Sequence, residues 1–314
     1  MNEQDVKGAK RRNKKEKVKK SVGHEILSWI LTLLVAVIIA LVIRSVAFEP
    51  VRVDGASMND TLSNGEIMFV SKFDYATVWL SFPWQSNAAK QNAPRITLYG
   101  SPKRFDVVIC RYPARGDTNF VKRVVGLPGD TVELTDGYLS VNGEKYDEPY
   151  INDDYRTGSF TYVVPKKGDV LTISGSSTAL SYQLNGEDWD RKETCITAKD
   201  EGGKKLKICD REETIKLSDG KSIAQKVKVV SYDGKEYKQG DWAEIIPTLA
   251  GKAFTLDQDY YFVMGDHRNN SNASRYIGSI ERRMIIGHVK QVLYPFNKWR
   301  SVPNGLKVEK VKDE

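Results

Sequence analysis

Hydrophobic side chains follow two distinct patterns along this chain. Residues 26–43 are almost wholly apolar, and only Ser28 and Thr32 interrupt them. From about residue 48 onward, short apolar runs alternate with turns rich in Gly, Asn and Asp. The first pattern predicts one long helix, and the second predicts short β-strands joined by tight turns. We therefore expect a mostly β protein preceded by a single apolar helix.

The apolar segment near the N-terminus has the length expected of a membrane anchor. With its flanking residues it approaches the ~20 residues that a helix needs to cross the hydrocarbon core. It is longer than the ~7–15 apolar residues of a cleavable signal peptide. Ser45-Val46-Ala47 nevertheless resembles a small-x-small cleavage site, so removal of the segment stays open. We expect residues 23–45 to form one transmembrane helix.

Charge is concentrated at the N-terminus. Residues 1–20 hold nine Lys/Arg and three Asp/Glu, which accounts for six of the seven net positive charges. The rest of the chain is close to neutral, and such a body is a poor electrostatic match for nucleic acid. A basic tail at residues 1–22 should stay in the cytoplasm and send the body across the cell membrane. We expect membrane lipid as a partner, and no nucleic acid.

Apolar runs in the body predict its strands. Residues 51–62 and 67–70 form the first two, joined by a polar turn at residues 63–66. A continuous apolar strand follows at residues 104–110, and a second strand follows at residues 120–127. Runs of this length, bounded by Gly, Pro, Asn or Asp, are typical of β-strands.

Two further stretches of the body carry expectations. Residues 73–94 are rich in Phe, Tyr and Trp, which fits either a hydrophobic hairpin packed on the body or an aromatic rim at the lipid headgroups. Residues 131–258 alternate short β-like runs with turns and show no helical periodicity, so we expect an all-β region there.

Ser57 and Lys122 are the candidate reactive side chains. Gly55 and Ala56 allow a tight turn that leaves the Ser57 hydroxyl open to approach, although serine is also a common turn-former. Side chains alternate between the faces of a strand, so either Lys122 or the adjacent Arg123 must lie against the core, or the strand is exposed on both faces. A buried lysine has a lowered pKa and can act as a general base. The alternative is a lysine that reaches solvent from an edge strand.

A polar loop and three cysteines complete the candidate chemistry. Residues 265–275 follow an apolar strand and are dense in hydrogen-bonding side chains, which suits either an ordinary loop or the orientation of a catalytic group. The cysteines are Cys110, Cys195 and Cys209, and no pair has the C-x-x-C spacing of a zinc or redox site. We expect no metal and no cofactor. A disulfide between Cys195 and Cys209 stays open.

Five segments of the chain match the sequence boxes of one family. They are residues 55–62, 104–108, 120–130, 265–275 and 287–289. In this order, and behind one apolar segment, they resemble the bacterial type I signal peptidases, the membrane-anchored Ser-Lys proteases that remove signal peptides from exported proteins. The boxes cover under a quarter of the chain. Their most specific part is the run Lys-Arg-Val-Val-Gly-Leu-Pro-Gly-Asp at residues 122–130.

The resemblance implies a fold and a substrate. It implies a β catalytic core from residues 46–130 and 259–296, interrupted by an inserted β domain at residues 131–258 and followed by a polar tail at residues 297–314. It also implies that the substrates are secretory preproteins, cut after a small-x-small site at the outer face of the membrane.

The resemblance also implies roles for individual residues. Ser57 would be the nucleophile, with its own backbone N–H donating to the oxyanion, and Lys122 would be the general base. Ser271 would orient the lysine, and Asp266 and Arg275 would support the site. Shallow apolar pockets for the small residues of the preprotein would be lined by Val51, Val53, Met58, Leu62 and Val121.

The chain departs from the family at several positions. Asp60 stands where proline is usual, Asn269 and Ala273 stand where aspartate is usual, and Gly55 lacks a hydroxyl that some members carry. Asp60 and Ala273 motivate an alternative in which the protein binds membrane-tethered preproteins without cleaving them. A further alternative is a serine protease that uses one of its three histidines, His24, His267 or His288. His267 occupies a position that is usually asparagine, which implies a structural role.

Overall fold

The computed structural model describes most of the chain in ranges separated by short gaps. The described residues are 22–46, 48–75, 77–79, 95–97, 100–112, 118–216 and 221–305. Residues 1–21 of the basic tail, residues 80–94 of the aromatic segment and residues 306–314 lie outside these ranges. The expectations for those residues stay predictions.

Helix α1 (Val22–Val46) has 25 residues. The chain divides into two compact units, and residues 22–43 of this helix are the described part of the first unit, Met1–Ile43. Its apolar side chains are largely exposed, for example Leu27 at 65%, Trp29 at 76% and Leu33 at 67%. No helix in the described part of the chain combines the length and the apolar character needed to cross a membrane. The expected transmembrane span is therefore not confirmed.

The second compact unit, Arg44–Glu314, contains the strands that the structure describes. They are β1 (Phe48–Arg52), β2 (Ile67–Ser71), β3 (Thr77–Trp79), β4 (Arg95–Thr97), β5 (Val107–Arg111), β6 (Asn119–Gly126), β7 (Thr131–Thr135), β8 (Tyr138–Val141), β9 (Glu144–Tyr146), β10 (Phe160–Val163), β11 (Val170–Gly175), β12 (Leu180–Leu184), β13 (Glu187–Asp188), β14 (Ile196–Lys199), β15 (Lys205–Lys216), β16 (Ser222–Tyr232), β17 (Lys235–Lys238), β18 (Ala253–Leu256), β19 (Tyr260–Met264), β20 (Ile280–Glu281), β21 (Ile285–Tyr294) and β22 (Arg300–Ser301). Two short helices, α2 (Trp242–Leu249) and α3 (Ser274–Ile277), interrupt them. The mostly β expectation is confirmed.

Three sheets and one small hairpin organise these strands. The first sheet has the order β1-β2-β21-β5-β6-β19-β20, with β22 beside β21. The second sheet is β10-β7-β8-β9, and the third is β13-β12-β11-β18-β14-β15-β16-β17. The hairpin pairs β3, inside the aromatic segment, with β4, which begins directly after that segment.

Strand β5 lies inside the first sheet because apolar residues occupy both of its faces. Val107, Val108, Ile109 and Cys110 are all buried. Such a run cannot sit at a solvated edge without exposing one apolar row. Its neighbour β6 pairs with it in the register Val108↔Lys122, which brings the lysine into the middle of the sheet.

One hydrophobic core joins the first sheet to the region predicted as an insertion. Phe262 and Met264 of β19 pack in the same cluster as Leu134 of β7 and Phe254 of β18. Residues 131–258 therefore share their apolar interior with the first sheet.

Two sequence predictions about secondary structure need correction. Residues 57–61 form turns, and β1 ends at Arg52, so residues 51–62 are not one strand. The region predicted as all-β contains helix α2, whose Trp242, Ile245 and Leu249 are buried. That i, i+3, i+7 spacing is helical, but it was too short to stand out among the surrounding strands.

The described part of residues 297–314, predicted as a polar tail, packs on the first sheet. Strand β22 pairs with β21, and Val302 is buried. The Asn304 side chain accepts a hydrogen bond from Val107 N (2.6 Å) and donates to Val289 O (2.7 Å). Residues 300–304 thus belong to the fold, although their composition is polar.

The cysteine question is resolved by β14 and β15. Cys195 and Cys209 form a disulfide, because Cys195 immediately precedes β14 and Cys209 lies on the adjacent β15. Cys110 is a buried free thiol.

Candidate active site

A turn between β1 and β2 presents Ser57. Gly55 has φ 109°, a backbone conformation that side chains with a Cβ rarely adopt. Its N–H donates to Asn64 Oδ1 (3.2 Å), and Asn59 N donates to Ala56 O (3.1 Å). Ser57 remains partly exposed at the tip of the turn.

Lys122 of β6 lies against Ser57. Lys122 Nζ is 2.7 Å from Ser57 Oγ and donates to Val121 O at 2.9 Å. The lysine side chain is buried, with 2% of the residue exposed. Burial lowers its pKa to about 8 because desolvation disfavours the ammonium form, while Cys110 and Asp266 oppose the shift. A lysine with this pKa is partly neutral at mildly alkaline pH and can accept a proton.

Arg123, beside Lys122 on β6, is buried as well. Sequence alternation predicted either one cation against the core or a strand exposed on both faces, and the structure buries both cations. Arg123 is neutralised by Asp266 through a bidentate pair, with distances of 2.9 Å from Nε to Oδ1 and 2.8 Å from Nη2 to Oδ2. Thr61 Oγ1 donates to the same carboxylate at 2.5 Å. Asp266 therefore ties together the turn after Ser57, strand β6 and the polar loop.

The polar loop approaches the Ser57 backbone closely because Gly265 has no side chain. A Cβ at Gly265 would come within 2.2 Å of Ser271 Oγ and 2.4 Å of Ser57 O. His267 N donates to Ser57 O at 3.2 Å. Ser271 Oγ is buried and makes no hydrogen bond within the described residues. It lines the same open cleft as Ser57 and Lys122.

Arg275 supports the polar loop without a carboxylate partner among the described residues. It is buried, and its guanidinium donates to Thr157 O (3.1 Å) and to Arg268 O. Its pKa is lowered, chiefly by desolvation, with Arg268 adding to the shift. Arg268 itself is paired with the buried Glu148. Ala273, also buried, offers no charge to Arg275.

The five predicted pocket residues lie in one apolar cluster. Val53, Met58 and Leu62 are buried, whereas Val51 and Val121 are partly buried and pack against the same cluster. Leu62 is completely buried, so it can shape a pocket only from beneath.

Among the histidine side chains that the structure describes, neither contacts Ser57 Oγ. His267 Nδ1 is 3.2 Å from Ala56 O, and the ring stacks on Tyr155. His288 Nδ1 is 2.7 Å from Asp74 Oδ2, on a different part of the first sheet. The described residues also contain no group of three or more His, Cys, Asp or Glu side chains placed to hold a metal ion.

Comparison with known families decides the relationship. A family model described as signal peptidase, peptidase S26, matches residues 26–294. The chain belongs to the signal peptidase family. It is accordingly a hydrolase, a serine endopeptidase of the signal peptidase I type.

Several signal peptidases are similar over long stretches. Signal peptidase I S of Bacillus subtilis (strain 168) is 26% identical over 288 residues, which cover 91% of this chain and 98% of the relative. Signal peptidase I of Bacillus licheniformis is 34% identical over 172 residues, 52% of this chain and 80% of the relative. Signal peptidase I of Pseudomonas aeruginosa is 28% identical over 284 residues, 86% and 74% respectively.

For a signal peptidase of this family, the structure brings most of the predicted site residues together. Ser57, Lys122 and Ser271 line one cleft, and Asp266 reaches the site through Arg123. Arg275 lies behind the loop and does not line the cleft.

Sequence reasoning missed three residues that contribute to this candidate site. Thr61 and Arg123 hold Asp266, and Pro303 O accepts a hydrogen bond from Arg123 Nη1 at 2.8 Å. The adjacent cations at 122 and 123 were a usable signal, because a second buried cation requires a buried acid. Nothing in the sequence pointed to Pro303.

Proposed function

We propose that this protein removes signal peptides from secretory preproteins with Ser57 as nucleophile and Lys122 as general base. Neutral Lys122 takes the proton from Ser57 Oγ as that oxygen attacks the scissile carbonyl. The Ser57 N–H donates to the developing oxyanion. The lysine then protonates the departing amine, and water hydrolyses the acyl-enzyme. Ser271 lines the same cleft and is the hydroxyl proposed to orient the lysine, although its Oγ makes no hydrogen bond to Lys122 in this structure.

The observation that carries the proposal is the 2.7 Å contact between Lys122 Nζ and Ser57 Oγ. It places a base with a lowered pKa within hydrogen-bond reach of the only hydroxyl on the exposed turn at residues 55–59. The apolar cluster around Val51, Val53, Met58, Leu62 and Val121 supports selection of small side chains, since overpacking a tight apolar pocket is costly.

We further propose that the protein is anchored in the cell membrane by residues 23–45, with residues 1–22 in the cytoplasm. Exposed apolar side chains along α1 support attachment to lipid. The Cys195–Cys209 disulfide supports an extracytoplasmic location for the body, because disulfides persist in oxidising compartments.

Protein produced in cells should resist alkaline carbonate extraction, and protease added to spheroplasts should degrade the body. Release into the carbonate supernatant would contradict the anchor.

The catalytic proposal is tested by cleavage of a labelled preprotein with detergent-solubilised protein. Wild type should cut after the small-x-small site, whereas Ser57→Ala, Lys122→Ala and Lys122→Arg should lose activity. Arginine fails because it stays protonated. Lys199→Ala is the matched control, since Lys199 is exposed on β14 and should retain full activity. Activity in a folded Lys122→Ala variant would exclude this mechanism.

A second candidate function is binding of preproteins without cleavage. The observation that favours it is Arg275, buried without a carboxylate partner in the described residues beside Ala273. If folded wild type binds preproteins but cuts none, Ala273→Asp is the informative variant. Restored cleavage in Ala273→Asp would identify the missing carboxylate as the cause.

A further inference from the structure

His267 contacts the backbone carbonyl oxygens of both Ala56 and Ser57. Its backbone N–H donates to Ser57 O at 3.2 Å, and its ring Nδ1 lies 3.2 Å from Ala56 O. One residue therefore contacts both peptide units that flank the Ser57 Cα.

The ring contact involves the peptide unit that matters for catalysis. Ala56 C=O and Ser57 N–H belong to the same planar peptide. Two groups contact this carbonyl oxygen, Asn59 N at 3.1 Å and the His267 ring at 3.2 Å, and whatever fixes its direction also fixes the direction of the N–H on the opposite side of the plane. That N–H has no hydrogen-bond acceptor among the described residues, so it is free to meet an oxyanion.

The chemistry of the contact defines the state of the ring. A carbonyl oxygen can only accept, so Nδ1 must carry the proton when this hydrogen bond forms. Donation to the carbonyl also polarises the peptide and strengthens its N–H as a donor.

The ring is held in place by a second contact. Tyr155 stacks on it with ring centroids 3.8 Å apart and planes at 21°. Tyr155 ends a short 3₁₀ helix, Asp153–Tyr155, in the region predicted as an insertion. Through this stacked pair, that region contacts the residue that bonds to the Ser57 turn.

We propose that His267 is a positioning residue that aims the Ser57 N–H at the oxyanion. The inference rests on the proposed function of Ser57. The orientation of this peptide matters more here than in relatives with a hydroxyl at position 55, because Gly55 has no hydroxyl to act as a second oxyanion donor. His267 contacts neither Ser57 Oγ nor Lys122 Nζ, so it takes no part in proton transfer.

Four variants separate a donor role from simple packing. His267→Phe keeps an aromatic ring for Tyr155 and removes the donor. His267→Asn places an amide nitrogen at the position of Nδ1, whereas His267→Gln moves it one bond further out. We expect kcat to fall about ten- to one-hundredfold in the Phe and Gln variants with little change in KM, which is less than the ~10²–10³ lost with a direct oxyanion donor. The Asn variant should recover most of the activity, and Tyr155→Phe should behave like wild type.

A transition-state analogue provides the decisive readout. A peptide boronate with small residues at −1 and −3 forms a tetrahedral adduct with Ser57, whereas the matching peptide amide does not. His267→Phe should weaken boronate binding by the same factor as kcat/KM and leave amide binding unchanged. Thermal unfolding checks that each variant is folded.

The outcomes are distinguishable. If wild type cuts preproteins and His267→Phe, folded, keeps its kcat and its boronate affinity, the positioning role is wrong and the Ser57–Lys122 mechanism stands. If boronate and amide binding weaken equally, His267 serves only packing, and the inference is again wrong. If folded wild type cuts nothing, the proposed function fails and the inference fails with it.

Discussion

At the scale of single residues, Lys122 links activity and stability to pH. Folding lowers its pKa from 10.5 to about 8 through desolvation. The fraction of neutral base therefore grows as pH rises to about 8, and kcat/KM should increase up to that pH and then level off. A preprotein-cleavage profile between pH 6 and 10 checks this, and a profile that declines from pH 6 upward would contradict it.

The same lowered pKa makes a prediction about stability. Between about pH 8 and 10.5 the unfolded chain holds the lysine proton and the folded protein does not, so the free energy of unfolding rises with pH. The gain across this window is about 3 kcal/mol. Lys122→Met should remove this rise and be more stable than wild type near pH 7, although inactive. Denaturant titrations of both proteins at pH 7 and pH 10 measure the difference.

Asp60 makes a different prediction at the residue scale. It has φ 74°, in the left-handed region that Asp tolerates and that Gly adopts without strain. Proline, which is usual at this position in the family, cannot adopt this positive φ, because its ring fixes φ near −65°. We expect unfolding free energies in the order Gly, Asp, Ala, Pro, with Asp60→Pro losing at least about 1 kcal/mol. Thermal unfolding of the four proteins gives the order, and a stable Asp60→Pro would refute this backbone conformation.

At the scale of elements, the disulfide between Cys195 and Cys209 staples the start of β14 to β15. The two cysteines are 14 residues apart in the sequence. Closing a loop of this size stabilises a folded protein by about 3 kcal/mol, so replacing both by Ala should lower the unfolding free energy by about that amount. Cleavage at 25 °C should persist, because the disulfide links β15 of the third sheet to the residue before β14 and neither cysteine lines the cleft. A reducing agent should destabilise wild type and leave the double variant unchanged, which serves as the control.

Elements also show where sequence reasoning succeeds and where it fails. Strands β5 and β6 were predictable because β5 is a continuous apolar run and apolar residues flank the two cations of β6 on both sides. Helix α2 was missed, since eight residues with Pro247 inside carry too little periodicity to outweigh the β pattern around them. The disulfide stayed open because pairing depends on the register of β14 against β15, which no local pattern encodes.

At the scale of the whole molecule, the site depends on residues that are distant in the sequence. Ser57 and Lys122 could be paired from the family resemblance, and Lys122 Nζ lies 2.7 Å from Ser57 Oγ. Arg123 and Asp266 could not be joined by pattern alone, because 143 residues separate them. The contribution of Pro303 and Asn304 could not be predicted either. A polar composition predicts residues exposed to solvent, and it does not predict buried hydrogen bonds.

Asn304 makes the prediction at this scale. It satisfies the backbone N–H of buried Val107 and donates to Val289 O and Val302 O. Asn304→Ala should cost about 1–3 kcal/mol of unfolding free energy, because it leaves a buried donor without a partner. Cleavage should also weaken, since Pro303 O next to it receives Arg123. Ser301→Ala, an exposed neighbour, is the matched control and should change neither quantity.

The contact between Val107 and Asn304 has a consequence for the protein during its synthesis. Val107 and Asn304 are 197 residues apart, and the ribosome makes the chain from its N-terminus. Ser57 and Lys122 therefore emerge long before the residues that close around Arg123. A growing chain carries both reactive side chains without the frame that holds them. We therefore expect the turn and strand that carry Ser57 and Lys122 to lack this support until residues 303 and 304 have been synthesised.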